Sequence, residues 1–433
     1  MGFIIIESEN KNMSWVLGKN PESGMIGRFI RAGIVWGYYH DPHIYICRFN
    51  DHTQEVSFKK NIHDNYNYLN SLQYCSPLLL STVTSELFSC VLNKDNIHDI
   101  KCLNKITLNL IKLNNRAINF IEKLNGHIKL FTIEYAKTKY SGLYNFVVSS
   151  TKSTMNELFN YSYLLGNILN ILVIGYVDKP KLEQLEKIIN FMIKIDVPYY
   201  PRYLIKTNMI SKENFLILKN KLEQISNHDV KIHWGNSQEQ RYKFIESNII
   251  YNTDIIDFGC GEGFYAKKLL EKLSKSNKYI GWDSDPEELA KVKYFKEKNP
   301  EYSNLIIPES QEELFGLVKN LNLNSNSKPI ILLTEVFEHM EQLEAIEQLK
   351  KIKTNIDFNY MIITTPDVDF NIHFSSDEII KKRHHDHKYE YTKKEFENII
   401  HDVFDSKYDK KFYQVGDIID SNSISQSWII YSR

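Results

Sequence analysis

The chain has 433 residues, 42% of them hydrophobic and 25% charged, which is the balance of a soluble globular protein long enough for two or three domains. The net charge of −1 conceals an asymmetry, because residues 241–433 carry 26 Lys and Arg against 33 Asp and Glu, a net of −7. Residues 1–240 carry the remaining 27 against 21, a net of +6. The acidic second half argues against nonspecific polyanion binding, so any contact of that half with nucleic acid is expected at a local site.

The cysteines indicate a reducing compartment, because the five of them include no C-x-x-C pair and suggest neither a disulfide framework nor a thiolate metal site. No apolar run approaches the roughly 18 residues that span a bilayer. The first residues lack the basic segment that begins a signal peptide. We therefore expect a cytoplasmic protein with no membrane partner.

The first half is predicted to mix strands and helices. Alternating apolar residues predict two strands, Gly33–Tyr39 and Ile44–Phe49, around a turn at His40–His43. Apolar spacing predicts the strand Lys129–Tyr135 and the helical segments Tyr66–Asn93, Thr154–Ile174, Leu182–Ile195 and Lys212–Ile225. Residues 1–225 are thus predicted to form an α+β domain, and residues 1–200 carry no catalytic motif.

The polar stretch Ser226–Ser237 predicts a linker between two domains. We place the linker at residues 226–240 and the second domain at residues 241–433, entered through an amphipathic helix at Gln238–Ile249. From Asp254 strands alternate with helices, a pattern that predicts an α/β fold with a mostly parallel sheet covered by helices on both faces. The predicted strands are Asp254–Phe258, Tyr279–Trp282, Asn304–Ile307, Pro329–Thr334, Tyr360–Thr364, Lys411–Val415 and Ser427–Ser432.

The first of these strands runs into a glycine-rich turn. Asp257, Gly259, Gly261 and Gly263 form the pattern D-x-G-x-G-x-G, and the next strand ends in Asp283. Such glycines let the backbone approach a ligand closely, and an acid at the end of the second strand can accept both ribose hydroxyls of an adenosine cofactor. The third glycine arrives one residue too early for a dinucleotide fingerprint, and Asp257 would repel a pyrophosphate. The pattern therefore predicts a cationic cofactor without phosphate, such as S-adenosylmethionine; the alternative is a glycine turn that serves packing only.

A second pattern, E-x-x-E-H, follows the fourth predicted strand. Glu335, Glu338 and His339 lie at i, i+3 and i+4, so on a helical turn their side chains would point the same way. Two carboxylates and an imidazole suit a divalent cation, and the histidines within Arg383–Lys388 offer a fourth ligand. The alternative is that Glu338 and His339 are ordinary solvated residues at the start of a helix.

Together these motifs resemble one family, the HEN small-RNA methyltransferases, which methylate the 2′-hydroxyl of the 3′-terminal nucleotide of RNA. The residues that carry the resemblance are Asp257–Gly263, Glu335–His339, Thr365–Pro366 and Arg383–Thr392. The resemblance implies a Rossmann-like class I methyltransferase domain that uses S-adenosylmethionine. The two strands that close the chain are compatible with the antiparallel edge of such a sheet.

The resemblance also implies a metal site made of Glu335, Glu338, His339 and His387. The metal is usually taken as manganese, with magnesium and cobalt as alternatives. A ribose hydroxyl is a poor nucleophile at neutral pH, and a bound divalent cation would lower its pKa. Contact of the cation with both the 2′- and the 3′-oxygen would select a free terminal ribose, because an internal nucleotide has no 3′-hydroxyl.

The resemblance extends more weakly to the first half, where Tyr144–Ser149 and Pro201–Ile205 match the bacterial members. In those members this half works with a polynucleotide kinase–phosphatase–ligase in RNA repair, so such an enzyme is an expected partner besides the RNA 3′ end. This chain departs from the family pattern in three places. Asp367 stands where Asn is usual, Tyr391 replaces the usual Trp, and Ile171–Asp178 matches the bacterial pattern poorly.

Three alternatives stay open for the function. One is a metal-independent methyltransferase on a protein or small molecule, in which the E-x-x-E-H turn is only structural. Another is a repair subunit whose first half docks and activates a ligase. The third is a hydrolytic metalloenzyme, which is the weakest alternative because this chain lacks the H-E-x-x-H pattern. Within the expected mechanism His384 or His385 takes the proton, orients a metal ligand or is simply exposed.

Overall fold

The computed structural model divides the chain into two compact units, Met1–Ser226 and Asn227–Arg433. The residues it describes are 2–30, 33–51, 75–93, 95–175, 177, 179–324, 328–374 and 382–433. The sequence placed the end of the first domain at residue 225, one residue before this division. Each unit is built around its own sheet.

The first unit is an α+β domain, as predicted. Within its described residues, seven strands form one antiparallel sheet in the order β2-β3-β4-β1-β5-β7-β6. The strands, β1 to β7, are Gly2–Ser8, Ile26–Ile30, Gly33–Asp41, Ile44–Asp51, Cys102–Lys112, Thr132–Lys137 and Leu143–Ser153. The helices are Met13–Leu17, Leu78–Glu86, Ser89–Asn93, Asn115–His127, Met155–Ile174, Leu182–Lys194, Tyr199–Met209 and Lys212–Leu222, with a 3₁₀ turn at Pro21–Ser23.

A long apolar helix, Met155–Ile174, forms the centre of the first unit. It begins at a capping box in which Thr154 and Glu157 exchange side-chain-to-backbone hydrogen bonds. Among the described residues this helix alone is long and apolar enough to cross a membrane, a test that the core helix of a soluble protein also passes. The segment was predicted as a helix but not as a candidate membrane span, because Asn and Ser residues interrupt its apolar run. In the structure 78% of its most apolar window is buried inside the protein.

Most predicted elements of the first half are present. The strands on either side of His40–His43 are confirmed as β3 and β4, and three of the predicted helices lie within a few residues of their predicted bounds. The segment Tyr66–Asn93 lies partly outside the described residues, and its described part forms two short helices. The helix Tyr199–Met209 was not predicted, because Pro201 argues against a helix interior; the proline lies in the first turn, where no intrahelical N–H bond is lost.

The second unit is built on a mixed sheet, to which its described residues contribute eight strands in the order β11-β10-β9-β12-β13-β15-β14-β8. The strands β9 to β13 are parallel to one another, and the last two run antiparallel at the edge, which confirms the predicted α/β architecture. The strands, β8 to β15, are Val230–Lys231, Ile255–Phe258, Tyr279–Trp282, Leu305–Ile306, Ile330–Thr334, Tyr360–Pro366, Tyr408–Ile419 and Asn422–Ser432. The helices are Ser237–Asn248, Phe264–Leu269, Pro286–Lys298, Gln311–Asn324, Gln342–Asn355 and Lys393–Val403, with 3₁₀ turns at Phe337–His339 and Val368–His373.

The stretch predicted as a linker, residues 226–240, is almost entirely part of the second unit. Val230–Lys231 pairs with β14 as an edge strand, and the next helix begins at Ser237. Residues 226–240 are polar because they lie at the edge of the sheet, where a strand of two residues buries little apolar surface, and not because they form a free connector.

Helices cover both faces of the second sheet, so its central strands are buried on both sides. Alternate residues of β9 point into two separate cores, Ile256 into one and Ile255 into the other. The polar residues of these strands are confined to their carboxyl ends. Because β9, β12 and β13 are parallel neighbours, their carboxyl ends meet at one edge, where open α/β sheets bind ligands.

Candidate active site

The glycine-rich turn after β9 has the backbone geometry that only glycine adopts freely. Gly259, Gly261 and Gly263 have φ of +72°, +53° and +78°. A Cβ on Gly259 would lie 2.4 Å from Cγ2 of Val336, so this position has no room for a side chain. The turn is held against the next strand, because the Gly261 N–H donates to the Asp283 carboxylate at 2.8 Å.

Asp257 lies under this turn with one carboxylate oxygen unsatisfied. The residue is fully buried, and its Oδ2 accepts a hydrogen bond from the Tyr279 hydroxyl at 2.6 Å. Its Oδ1 has no hydrogen-bond partner among the described residues. Burial raises the pKa of Asp257 to about 7, against the opposing Tyr279 hydrogen bond and with a further increase from Asp283. A buried carboxylate that lacks a partner fits a cationic ligand and disfavours an anionic one.

A cavity of about 400 Å³ opens beside Asp283. Trp282, Pro286 and Leu289 give it apolar walls, and Ser310 adds a hydroxyl. The two Asp283 oxygens accept the backbone N–H groups of Gly261 and Asp285, which fixes the carboxylate at the rim while leaving lone pairs for further donors. The five predicted cofactor residues lie together at the carboxyl ends of β9 and β10, and Asp283 is the one of them that lines this cavity.

Three of the four predicted metal ligands are brought together at the end of β12. Ligand atoms of Glu338, His339 and His387 all lie within 4.8 Å of one another. Glu338 and His339 lie on the 3₁₀ turn after β12, and His387 comes from a segment that is tied to this turn by backbone bonds. The N–H groups of Lys388 and Tyr389 both donate to the Glu338 carbonyl, at 2.6 and 3.2 Å.

Glu335, the fourth predicted ligand, lies outside this group of three. Its φ is +55°, in the left-handed region, and its N–H donates to the Thr364 carbonyl, so Glu335 is not on a helical turn. The prediction that Glu335, Glu338 and His339 share one helical turn is therefore wrong. Its carboxylate accepts from the Thr364 hydroxyl at 3.3 Å and pairs with Arg241 at 3.1 Å. Glu335 is still close enough to add to the rise that burial causes in the pKa of Glu338, and to oppose in part the burial that lowers the pKa of His339.

The electrostatics of the three grouped residues fit a cation. Glu338 is 1% exposed, its Oε2 accepts from the Thr365 hydroxyl at 3.1 Å, and its Oε1 has no partner among the described residues. Burial raises the pKa of Glu338 well above its ordinary value, with a further increase from Glu335. Burial lowers the pKa of His339, against the opposing charge of Asp386. A site that disfavours both a free carboxylate and an imidazolium is relieved by a metal ion, which binds the carboxylate and the neutral imidazole.

The neighbouring histidines His384 and His385 are exposed and form a separate group with Asp386. His384 Nδ1 lies 2.9 Å from an Asp386 oxygen. The other Asp386 oxygen is 3.5 Å from His339 Nδ1, so Asp386 connects the exposed histidines to the group of three. The exposure of His384 and His385 agrees with two of the roles considered for them, which are to orient a metal ligand or simply to face solvent.

Arg241 is a site residue that the sequence analysis missed. It lies on the helix Ser237–Asn248, and its Nη1 contacts both Glu335 and, at 3.3 Å, the Ser425 hydroxyl. Its Nε has no partner among the described residues. Burial alone would lower the pKa of Arg241, but the charges around it, Glu335 first, raise the pKa, so the guanidinium stays charged. No local pattern distinguishes this arginine from the other cations of an amphipathic helix.

The two departures from the family pattern near the site are buried and structural. The Asp367 side chain caps the 3₁₀ turn Val368–His373 by accepting the Asp369 N–H at 3.1 Å, and the residue is 3% exposed. Tyr391 is fully buried, packs against Phe396, and forms a parallel bridge with Asp367. Both residues therefore hold the backbone around the site in place.

The fold and the site define a class of protein. A family model for methyltransferase domains matches residues 256–353, the part of the chain that contains the glycine-rich turn, Asp283 and the E-x-x-E-H turn. The strand order and the antiparallel edge agree with this match. The second unit is a class I methyltransferase domain.

The chain belongs to the Hen1 family, because a model of the Hen1 N-terminal domain matches residues 3–227, more than half of its length. The small RNA 2′-O-methyltransferase of Arabidopsis thaliana is 30% identical over 158 residues, which are 33% of this chain and 16% of that relative. The match thus spans only a small part of the curated relative.

Solved structures share the fold of the chain over its whole length. A chain in the structure of the Pnkp1/Rnl/Hen1 RNA repair complex superposes with a TM-score of 0.73 at 20% identity, over 99% of this chain and 100% of that one. A second structure of a Pnkp1/Rnl/Hen1 complex gives a TM-score of 0.71 at 20% identity, with complete coverage of both chains.

Proposed function

We propose that this protein transfers a methyl group from S-adenosylmethionine to the 2′-hydroxyl of the 3′-terminal nucleotide of RNA, with the help of a divalent metal, during RNA repair. One observation carries the proposal. The buried Glu338 carboxylate, one oxygen of which has no partner among the described residues, is grouped with two imidazoles at the end of β12, the strand next to the one that leads into the glycine-rich turn.

The cofactor is held by the residues around the glycine-rich turn. Gly259, Gly261 and Gly263 bring the backbone close to it, and Asp283 accepts hydrogen bonds from its ribose hydroxyls. No group in the described part of the chain donates to Asp257 Oδ1, so this carboxylate can supply a negative charge under the turn. A phosphate-free cation satisfies this charge, and a pyrophosphate would be repelled by it.

The metal is held by Glu338, His339 and His387, and Glu335 lies beside them as the fourth candidate ligand. One carboxylate and two neutral imidazoles can bind a divalent cation, and the resemblance to the HEN family makes manganese the metal that we propose, with magnesium and cobalt as alternatives. When bound, the cation supplies Lewis acidity that lowers the pKa of a ribose hydroxyl. For Glu335 to bind the metal, its carboxylate has to share its charge with Arg241, which pairs with it in the structure.

The transfer itself is a displacement at carbon. The O2′ lone pair forms a bond to the methyl carbon, the carbon–sulfur bond breaks, and the sulfur leaves with the electron pair as the thioether of S-adenosylhomocysteine. The hydroxyl proton passes to a base or to water. The protein accelerates this step by placing donor and acceptor in line, which is the largest contribution available to a reaction with so little acid–base chemistry.

A polynucleotide kinase–phosphatase–ligase is the partner that we propose for the first unit. The support is the match to the Hen1 N-terminal domain over residues 3–227 and the shared fold with a chain of the Pnkp1/Rnl/Hen1 RNA repair complex. The net charge of +6 in residues 1–240 suits a position near RNA. We place the protein in the cytoplasm, a reducing compartment that suits its five free cysteines.

A metal-binding variant tests the proposal. The full chain, its Glu338→Gln variant and a Glu347→Gln control on the exposed face of the helix Gln342–Asn355 are incubated with RNA and labelled S-adenosylmethionine, with manganese or with a chelator. We expect transfer by the wild type and the control with manganese only, and none by Glu338→Gln, although all three bind S-adenosylmethionine equally well. Transfer that survives chelation would favour a metal-independent methyltransferase instead.

A further inference from the structure

Glu390 is a buried carboxylate beside the proposed metal site. It has no role in the reaction described above. It lies in the segment of residues 382–392, which also carries His387. Its side chain is 1% exposed, and that of His387 is 9% exposed. Glu390 Oε1 lies 2.5 Å from His387 Nδ1. A carboxylate in this position is expected to act on the imidazole, since it is withdrawn from solvent.

Three groups that surround Glu390 converge on its two oxygens. Oε1 receives the Arg383 N–H as well as His387 Nδ1, and Oε2 receives the side-chain amide of Asn371. Asn371 is in turn held by the Arg383 guanidinium, which donates to its side-chain oxygen at 2.9 Å. The carboxylate is therefore fixed in one orientation by the 3₁₀ turn Val368–His373 and by its own segment.

This arrangement decides which nitrogen of His387 carries the proton. An ionised carboxylate only accepts hydrogen bonds, so Nδ1 has to be the donor in the contact with Glu390. A neutral imidazole with its proton on Nδ1 has a lone pair on Nε2, and only a nitrogen with a lone pair binds a metal. We propose that Glu390 is a positioning residue that keeps the His387 proton on Nδ1 and so leaves Nε2 available as a metal ligand, an inference that rests on the metal site of the proposed function.

The other imidazole of the site, that of His339, can be compared with that of His387. His339 Nδ1 also faces a carboxylate, that of Asp386, but at 3.5 Å, and both side chains are 42–49% exposed. Solvent competes with this contact, and Asp386 also binds His384. The two metal-binding imidazoles therefore differ in how firmly they are oriented, and removing the Glu390 charge should affect the site far more than removing that of Asp386.

The proton position is measured directly by ¹⁵N–¹H correlation spectroscopy of the histidine rings in the full-length, metal-free chain. The His387 signals are assigned from their loss in a His387→Asn variant. We expect the Nδ1–H tautomer in the wild type and in Glu390→Asp, which keeps the charge. Glu390→Gln removes the negative charge that favours a proton on Nδ1, and we expect the proton to move to Nε2.

Metal affinity supplies the second readout, by electron paramagnetic resonance of free manganese in a titration. Loss of an orienting carboxylate typically weakens metal binding by about 10–100-fold, and we expect this for Glu390→Gln. The matched control is Glu395→Gln, five residues further on: Glu395 is also hydrogen-bonded, to Tyr389 and Thr392, but does not contact His387. We expect the control to bind manganese within about three-fold of the wild type, because it lacks the orienting contact. Thermal unfolding of each variant shows whether it folds.

The outcomes separate this inference from the proposed function. A His387 proton on Nε2 in the wild type, or the same tautomer and manganese affinity in Glu390→Gln as in the wild type, overturns the role of Glu390. If the wild type shows the Nδ1–H tautomer and Glu390→Gln loses it, the role stands. If manganese fails to bind the wild type while the tautomers still differ in this way, the metal site of the proposed function is what fails.

Discussion

Replacing Glu338 with glutamine should stabilise the metal-free protein while removing its response to a divalent cation. Glu338 Oε1 is buried without a partner among the described residues, and only Thr365 donates to the other oxygen. A buried polar group without a hydrogen bond costs about 1–3 kcal/mol, and a charged one costs more. The amide has the same size and still lacks a partner, but it carries no charge, so the variant is spared the part of the cost that belongs to a carboxyl whose pKa is raised by burial. A gain of about 1–3 kcal/mol in a unit of this length corresponds to a rise of roughly 2–12 °C in the unfolding midpoint.

Differential scanning calorimetry of the full chain in chelator and in manganese measures both effects. A cation at 100 times its dissociation constant stabilises the folded state by about 2.7 kcal/mol, so the wild-type transition should move upward with manganese and that of Glu338→Gln should not. The Glu347→Gln control should behave as the wild type. A variant that unfolds at or below the wild-type temperature in chelator, or an equal shift of both proteins by manganese, would contradict this prediction.

Three further predictions concern the cofactor site and its neighbour. Gly259→Ala should weaken S-adenosylmethionine binding by at least tenfold in calorimetric titration, since its Cβ would lie 2.4 Å from Val336, whereas Gly261→Ala, with nothing within 4 Å, should cost less. S-adenosylmethionine affinity should rise with pH through about 7, because the pKa of Asp257 is raised to about 7 and its anionic form attracts the cation; Asp257→Asn should flatten this profile. Arg241→Met should lower the free energy of unfolding by up to about 3 kcal/mol in a denaturant titration, because it leaves the Glu335 carboxylate, which is 19% exposed, without its charged partner; an unchanged midpoint would show that the ion pair is solvated.

The parallel strands and the glycine-rich turn of the second unit could be predicted because the sequence patterns that indicate them are local. Each parallel strand is a short apolar run bounded by glycine or polar residues, and the turn after β9 needs glycine at three positions of positive φ. The cofactor residues were therefore predicted from spacing alone. The strands β5 and β7 of the first unit were not predicted as such, because Asn, Lys and Ser interrupt them and pairing with neighbours distant in sequence decides their structure.

The metal site was predicted by resemblance and for a partly wrong geometric reason. Spacing suggested that Glu335, Glu338 and His339 share a helical turn, but the chain forms a 3₁₀ turn that begins after Glu335, whose backbone is left-handed. The contribution of Arg241 could not be predicted, because it lies more than 90 residues from Glu335 in the sequence and reaches it only through the folded sheet. Glu390 was noted only as part of a motif, since its role depends on the orientation of a neighbouring ring.

Methyl transfer to two RNAs that differ only at the 3′ end tests the central claim most directly. One RNA ends in a 2′,3′-diol and the other in a 3′-phosphate, and each is incubated with the full chain and labelled S-adenosylmethionine, with manganese or with chelator. We expect label only in the diol RNA with manganese, at the 2′-oxygen of its last nucleotide. Label in both RNAs would contradict recognition of a free terminal ribose, and label in neither would contradict RNA as the acceptor.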